Sequence, residues 1–327
     1  MEFSSNSEIT QVVKEIIQEH GLVSFSDLLR GIDYSYREVI HSLIELTRRG
    51  NIVNEDGVFR VNESSLNQAA KSSNHCRLCQ GKTIISDEHQ IALMKHIVRE
   101  RPTPDVSITQ RPVTPETSLN RISYMFNRRD IEGRNIVFIG DDDLSSIATA
   151  IHGTAKSITV LEVDTRILTY IEKVAKEYGW MINLVEYDAQ HSIPGPLVGQ
   201  FDIFFTDPAP TIPCFELFLS RAVELCQLSG TSVGYTSAFP THTEKQLAYL
   251  ALFSRLGLLI TDMIPFFNEY EFIPSILDSA SQEFLKAIPP HLYQFSFTET
   301  LIRFEFTSET HPSTTGNVSI DSKVLYG

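Results

Sequence analysis

The feature that most constrains the fold is an alternation of short apolar runs with helical patterns between residues 118 and 307. The runs are rich in β-branched and aromatic side chains, which is typical of buried strands, and the segments between them have the apolar periodicity of helices. This alternation predicts a doubly wound α/β sheet. The predicted strands cover residues 136–139, 158–163, 182–186, 203–206, 232–235, 260–265 and 301–306, and the predicted helices between them include 165–178 and 214–228.

Acidic residues follow four of these predicted strands in succession. The carboxyl ends of parallel strands meet at one edge of a doubly wound sheet, and ligands bind outside that edge. Each acid alone is equally well explained as a helix cap or a turn former, but four in succession indicate a nucleoside with a positive charge beside it. The spacing of Glu162 from the glycine turn suits an acid that binds ribose hydroxyls. The candidate residues are Gly140, Asp141, Asp142, Asp143, Glu162, Asp188 and Asp207.

The charge of the chain narrows the choice of partners. Its 327 residues have a formal net charge of -14 and a pI of about 5.2, a balance that disfavours nucleic acid and favours cationic ligands. No apolar run approaches the roughly 20 residues that span a bilayer. The first residues, MEFSSNSEIT, lack the basic and apolar regions of a signal peptide. We therefore expect a cytoplasmic protein with no membrane partner.

Residues 1–65 are predicted to form an N-terminal winged-helix domain. Helical patterns come first, and the segment NIVNEDGVFRV then predicts a hairpin that turns at Asp56 and Gly57. Six basic and ten acidic residues give residues 1–62 a charge of -4, whereas phosphate binding needs the opposite balance. This favours an interaction or dimerisation module over a DNA reader, although an Arg-Arg pair at the end of the third helix keeps the second interpretation open.

Residues 66–113 are predicted to be a connector that contains a CxxC segment, HCRLCQGK. Cys76 and Cys79 have a spacing that suits two ligands of one metal ion, but zinc needs four ligands and no second CxxC is present. His75 or His89 could complete a site. We favour the alternative, a turn or a labile thiol pair without metal.

Residues 114–327 are predicted to form a Rossmann-like domain. Seven strands with a final antiparallel pair is the sheet of enzymes that use S-adenosylmethionine or its relatives, a methyltransferase-type arrangement. The last 20 residues, SETHPSTTGNVSIDSKVLYG, are polar, and we expect them to form a mobile C-terminal tail.

Five segments carry a resemblance to a known family: QRPVTPETSLNRISYMF, GDDDLSS, FDIFFTDPAPT, FFNEY and LIRFEF. In this order, behind a winged-helix pattern and a CxxC segment, they resemble the branched-chain polyamine synthase family, N(4)-bis(aminopropyl)spermidine synthase. The resemblance implies transfer of aminopropyl groups from decarboxylated S-adenosylmethionine to spermidine, with release of methylthioadenosine. It also implies a homodimer, a polyamine as the small-molecule partner, and neither a permanently bound cofactor nor a metal.

The same resemblance implies roles for the candidate residues. Residues 140–143 and Glu162 are expected to hold the donor, Asp188 to lie by the adenine, and Asp207 to accept the proton of the attacking amine. By analogy with linear aminopropyltransferases, Asp143 stands where an aspartate binds the donor's amine. An acidic donor loop suits a donor that has a sulfonium and an ammonium but no carboxylate. The expected substrate-binding residues are Glu116, Asp207, Pro208, Asn268, Glu269 and Tyr270.

Two alternatives remain open. The first is an S-adenosylmethionine-dependent methyltransferase that acts on an amine, because DPAP is related to the Asp-Pro-Pro motif of such enzymes. Against it, Thr211 stands where they place an aromatic residue. The chain also departs from the polyamine synthase family, because Ala209 stands where that family usually shows a second proline. The second alternative is a winged-helix regulator that senses a nucleoside, which the acidic charge disfavours.

Overall fold

The structure is a computed structural model that describes residues 7–30, 36–62, 84, 87–228, 231–238, 243–273, 279–289 and 297–326. The predicted CxxC pair, Cys76 and Cys79, lies outside the described residues, as does His75. Within the described ranges, no group of three or more His, Cys, Asp or Glu side chains could hold a metal ion. The helices in those ranges are all too short or too polar to cross a bilayer.

The N-terminal elements pack around an apolar helix stripe and end in a hairpin. In the described part up to residue 62 these elements are α1 (Ser7–His20), β1 (Val23–Ser24), α2 (Phe25–Arg30), α3 (Tyr36–Arg48), β2 (Ile52–Glu55) and β3 (Val58–Val61). Strand β3 lies between β1 and β2 and pairs antiparallel with both. The hairpin turns at Asp56 and Gly57, as predicted, and both have the positive φ angles, 53° and 85°, that a tight two-residue hairpin turn requires.

The later elements alternate between helix and strand as the sequence predicts. In chain order the described elements are α4 (Glu88–Val98), α5 (Pro115–Asn127), β4 (Asn135–Ile139), α6 (Ser145–His152), β5 (Ser157–Glu162), α7 (Thr165–Tyr178), β6 (Asn183–Glu186), β7 (Ile203–Thr206), α8 (Ile212–Leu225), β8 (Val233–Ala238), α9 (Thr243–Arg255), β9 (Leu258–Tyr270), α10 (Ser279–Lys286), β10 (Phe297–Phe306) and α11 (Ser322–Leu325).

The described strands from β4 onwards form one seven-stranded sheet in the order β6-β5-β4-β7-β8-β10-β9. The pairs from β6 to β8 are parallel, and β10 runs antiparallel to β8. This sheet confirms the predicted α/β fold with a methyltransferase-like arrangement of strands.

Helices cover both faces of the sheet, which explains why its central strands are apolar throughout. Along β4, Ile136 and Phe138 join one buried cluster, and Val137 and Ile139 join another. The first cluster includes side chains of α4 to α7, and the second includes side chains of α8 and α9. Since both faces are buried, the carboxyl edge of the sheet is where loops are free to form a site.

The chain divides into two compact units. One comprises Met1–Gly81 with Glu269–Thr298, and the other comprises Lys82–Asn268 with Glu299–Gly327. The first therefore contains the N-terminal elements and α10, and the second contains most of the seven-stranded sheet. The predicted domain boundaries after residues 65 and 113 stay predictions.

Candidate functional site

The register of the parallel strands brings the predicted acidic strand ends to one edge. Ile139 of β4 is level with Leu161 of β5 and with Thr206 of β7, so the residues that follow all three strands meet. Gly140 follows β4 with φ of 74°, a left-handed conformation that favours glycine, and its N–H donates to the carbonyl of Leu161 at 2.9 Å. The glycine thus turns the chain out of the sheet at the place where the site is formed.

The aspartates after Gly140 point in different directions because the chain turns sharply before α6. Leu144 has φ of 55°, a left-handed conformation that costs free energy for a residue with a side chain. Asp141 is buried, and its carboxylate accepts hydrogen bonds from the backbone N–H and the hydroxyl of Ser146 in the first turn of α6. Asp142 faces a pocket, and its buried Oδ2 has no hydrogen-bond partner among the described residues.

Asp143 is held by the protein itself. Its Oδ1 accepts a hydrogen bond from the N–H of Val113 at 2.7 Å, and its Oδ2 accepts one from Nη1 of Arg121 at 2.5 Å. The side chain is 5% exposed and is not part of the pocket wall. The three consecutive aspartates therefore have three environments: a buried contact with the first turn of α6, a pocket wall and a buried ion pair.

Arg121 of α5 is the centre of a buried polar network. Its side chain is fully buried, and its guanidinium lies over the ring of Phe205 at 4.6 Å from the centroid. Nη2 donates to Oδ2 of Asp207 at 2.6 Å and to Oγ of Ser237 at 3.1 Å. Nε donates to Oδ1 of Asn268 at 2.8 Å. One guanidinium thus connects groups that follow or end four strands of the sheet.

The pocket lies outside the carboxyl ends of β4, β5, β6 and β7. Its described lining includes four carboxylates, from Asp142, Glu162, Asp188 and Asp207, and no basic side chain. This lining supplies negative charge at the place where the sequence predicts a cationic ligand. The remaining lining residues are Ile108, Thr109, Gln110, Ile139, Gly140, Leu161, Val163, Tyr187, Ala189, Pro208, Ala209, Cys214, Phe218, Leu325 and Tyr326.

Burial raises the pKa of three acids at this edge of the sheet. Desolvation, followed by the charges of Asp143 and Glu162, raises the pKa of Asp142 well above its ordinary value. Burial also raises the pKa of Asp141 and of Glu162, although the Glu162 carboxylate accepts backbone hydrogen bonds from Asp141 and Asp164, each at 2.8 Å. The charge of Arg101 lowers the pKa of Asp142 but does not offset the rise, so an additional cation would favour the ionised carboxylate.

The C-terminal tail contributes to the pocket. The carbonyl of Leu325 accepts a hydrogen bond from Oγ1 of Thr211 at 2.6 Å, and the carbonyl of Tyr326 accepts one from Oγ1 of Thr109 at 3.3 Å. Earlier in the tail, the carbonyl of Gly316 accepts a hydrogen bond from the guanidinium of Arg221 in α8 at 2.6 Å. The first two contacts join the end of the tail to Thr109, in the pocket wall, and to Thr211, just after its lining residues Pro208 and Ala209. The predicted mobility of the tail stays a prediction.

An acidic pocket on a methyltransferase-like sheet is compatible with more than one family, and the sequence of the whole domain decides between them. The family model of the branched-chain polyamine synthase A C-terminal domain matches residues 90–325. The chain belongs to this family. The match spans every strand of the seven-stranded sheet and confirms the resemblance inferred from the motifs.

Curated relatives from two organisms match much of the chain. An uncharacterised protein of Methanocaldococcus jannaschii is 34% identical over 232 residues, which cover 70% of this chain and 59% of that protein. The N(4)-bis(aminopropyl)spermidine synthase of Thermococcus kodakarensis is 34% identical over 200 residues, which cover 60% of this chain and 57% of that enzyme. The chain therefore spans less than two thirds of the length of these two relatives.

A solved structure has the same fold. The branched-chain polyamine synthase of Thermus thermophilus, crystallised with N4-aminopropylspermidine and 5'-methylthioadenosine, superimposes with a TM-score of 0.74 at 24% sequence identity. The superposition covers 96% of this chain and 91% of that chain. It supports the α/β architecture of the polyamine synthase family member described here.

Six of the predicted site residues lie together in the pocket wall, whereas the others do not. Asp141, Asp143 and Asn268 are buried outside the wall, and Glu116 forms an ion pair with Lys95 at 2.5 Å. Glu269 and Tyr270 belong to the first compact unit, where Tyr270 stacks on Phe297 with ring centroids 4.5 Å apart. Their roles stay predictions. The six that line the pocket are Gly140, Asp142, Glu162, Asp188, Asp207 and Pro208.

Arg121 is the main residue that the sequence-based search misses. It lies inside the motif QRPVTPETSLNRISYMF, but an arginine on a helix is normally solvated, and nothing in the spacing indicates that this one is buried. The one signal for Arg121 in the sequence is the excess of acids predicted at one edge of the sheet, which a buried base would balance. The tail residues Leu325 and Tyr326 are missed because their composition indicates disorder.

Proposed function

We propose that the protein is an aminopropyltransferase that uses decarboxylated S-adenosylmethionine as donor and a polyamine as acceptor, and that it releases methylthioadenosine. The observation that carries this proposal is the pocket wall with four carboxylates and no basic side chain among its described residues. The name of the Thermococcus relative and the ligands of the Thermus structure support the same reaction. Spermidine is the acceptor that these comparisons favour.

The donor has a nucleoside and a charged aminopropyl end, and the pocket offers groups for both. We assign Glu162 to the ribose hydroxyls and Asp188, whose Oδ1 accepts from the N–H of Gln190 at 2.8 Å, to the adenine side. Asp142 is the residue best suited to the donor's ammonium, because its buried Oδ2 needs a partner and Asp143 is already held by Arg121. Asp142 thus takes the role of binding the donor's amine, which the analogy with linear aminopropyltransferases gave to Asp143.

The reaction needs a neutral amine with an oriented lone pair. With a pKa near 10, only about one amine in a thousand is neutral at pH 7. We assign Asp207 to bind the acceptor nitrogen, orient it and accept its proton. The nitrogen attacks the carbon bonded to the sulfonium, the new C–N bond forms, and the C–S bond breaks with its electron pair passing to sulfur. Methylthioadenosine leaves as a neutral thioether.

A mass-spectrometric assay tests the proposal. Spermidine is incubated with decarboxylated S-adenosylmethionine in one reaction and with intact S-adenosylmethionine in another. A gain of one aminopropyl group per step, with release of methylthioadenosine, is the expected result. A gain of methyl groups from the intact donor would instead identify an amine methyltransferase. No product from either donor, for spermidine and for longer polyamines, would contradict both and favour the nucleoside-sensing regulator.

The N-terminal part is proposed to be a winged-helix domain that mediates protein contacts. The order of three helices, with β1 between the first two and the β2-β3 hairpin at the end, supports this assignment. Its acidic charge favours a protein partner, such as a second subunit in a homodimer, over DNA. A cytoplasmic location and the division at residues 65 and 113 belong to the same proposal. Light scattering of the full chain tests the subunit number.

A further inference from the structure

The guanidinium of Arg121 lies between two carboxylates that the proposed reaction uses differently. Nη1 donates to Asp143, in the donor loop, and Nη2 donates to Asp207, in the pocket wall. The Arg121 and Asp143 side chains are 0% and 5% exposed, whereas the Asp207 side chain is 13% exposed. Only the Asp207 end of this triad therefore borders the pocket.

Burying these three charged groups is unfavourable unless each charge is paired and hydrogen-bonded. Burying an arginine far from water costs several kcal/mol unless it is well paired, and removing one partner of a buried ion pair leaves an uncompensated charge. The planar guanidinium can hold the two carboxylates at fixed positions, which a lysine ammonium cannot do. The bonds to Asn268 and Ser237 further restrict rotation of the guanidinium.

We infer that Arg121 is a positioning residue for group transfer, acting through Asp207. This inference rests on the proposed function. The hydrogen bond to Oδ2 fixes the orientation of the Asp207 carboxylate, so that it can orient the acceptor nitrogen and take its proton. Asp143 holds Arg121 from the opposite side and so contributes to turnover without contact with the donor.

A positioning role and a purely structural role of Arg121 predict different effects on kcat. If Arg121 acts on turnover only through Asp207, its substitution has no further effect on kcat once Asp207 has lost its charge. If Arg121 merely stabilises the fold, the effects of the two substitutions on kcat are independent and multiply. A double-mutant cycle separates the two cases.

The experiment compares wild type, Arg121→Lys, Asp207→Asn and the double variant with spermidine as acceptor. We expect Arg121→Lys to lower kcat about tenfold or more while the affinity for methylthioadenosine changes less than about threefold. In the Asp207→Asn background, Arg121→Lys should lower kcat by less than about twofold. A full tenfold loss in that background would overturn the inference.

Arg303→Lys is the matched control. Arg303 is also buried, pairs with Asp130 at 2.7 Å and with Glu305, and does not line the pocket. It should lower the melting temperature as Arg121→Lys does, yet leave kcat within about twofold of wild type. If Arg303→Lys reduced kcat as much as Arg121→Lys, loss of kcat would reflect general destabilisation and the inference would fail.

A second variant and a second measurement test the role of Arg121 where the first experiment cannot be carried out. If Arg121→Lys does not fold, Asp143→Asn replaces it in the cycle, with the same expected dependence on Asp207. If the wild type transfers no aminopropyl group, the proposed function fails, and the cycle is then measured on spermidine affinity by calorimetry. Arg121 substitution should weaken spermidine binding only while Asp207 keeps its charge, and equal weakening in both backgrounds would overturn the inference alone.

Discussion

Asp142→Asn is the substitution that most directly tests how the pocket distinguishes its donor. The change removes a negative charge and preserves the shape of the side chain. Oδ2 of Asp142 is buried without a hydrogen-bond partner among the described residues. Burial and the charges of Asp143 and Glu162 raise the pKa of this carboxyl well above its ordinary value of 3.8. An ammonium group from the donor would give Oδ2 a hydrogen-bond partner and add its positive charge to that of Arg101, which already acts on this carboxyl.

The expected magnitude follows from the value of one charge-assisted hydrogen bond. Such a bond contributes about 1.5–3 kcal/mol, and about 1.4 kcal/mol corresponds to tenfold in affinity. Asp142→Asn should therefore weaken binding of decarboxylated S-adenosylmethionine by about 10- to 100-fold. Methylthioadenosine has the same nucleoside and no ammonium, so its affinity should change by less than about threefold. Titration calorimetry with both ligands measures the two changes in one protein.

Asp143→Asn is the control for this experiment. It removes the same charge one residue away, but both oxygens of Asp143 accept hydrogen bonds from Val113 and Arg121. It should leave the ratio of the two affinities unchanged and lower turnover instead. Equal weakening of both ligands by Asp142→Asn would refute the assignment of Asp142. If Asp143→Asn were the selective variant, the original analogy with linear aminopropyltransferases would be correct.

Three further predictions concern turnover and stability. Asp207→Asn should reduce kcat by a factor of about 100 and retain methylthioadenosine binding, measured by steady-state kinetics and calorimetry; parallel losses would remove its role at the acceptor. Because the pKa of Asp142 is raised by folding, its contribution to stability is present below its ordinary value of 3.8 and is lost as the pH rises through the raised value. Measured without added ligand, the melting temperature of Asp142→Asn should therefore exceed that of wild type, and by more at about pH 8 than at about pH 5. The same difference at both pH values would contradict this. Gly140→Ala places a side chain at φ of 74° and should cost about 1–2 kcal/mol in denaturant unfolding, whereas Gly195→Ala, at an ordinary φ with open space around its Cβ, should cost less than about 0.5 kcal/mol.

Much of the sheet is predictable because its central strands are buried on both faces. The predicted strand 203–206 and helix 165–178 coincide with the structure, and the helix ends are set by the cap of Asp164 and the left-handed Gly179. Strand β9 is longer than predicted, 13 residues instead of residues 260–265. It is the last strand in the sheet order, and exposed and part-buried residues alternate along much of it, so its pattern lacks the continuous apolar run that identifies central strands.

The sequence predicts the negative charge of the site, but it predicts the geometry of the site less well. Acidic strand ends are visible in the sequence, and the topology of a doubly wound sheet brings them together. Which aspartate faces the ligand depends on the turn at Leu144 and on the burial of Arg121. Neither follows from spacing, because left-handed conformations of leucine and fully buried arginines both contradict the usual preferences of these residues.

The proposed contacts imply how the transferred group is controlled during the reaction. An ammonium held by Asp142 remains on the aminopropyl group when its bond to sulfur breaks, so the far end of the group stays fixed while its reactive carbon changes partner. In the proposed reaction, Asp207 holds the incoming nitrogen. Because Arg121 joins Asp207 to Asp143, the residue next to Asp142, one rigid guanidinium connects the acceptor carboxylate to the loop that contains Asp142. Loss of Arg121 should therefore affect the alignment of two bound substrates more than the affinity for either one.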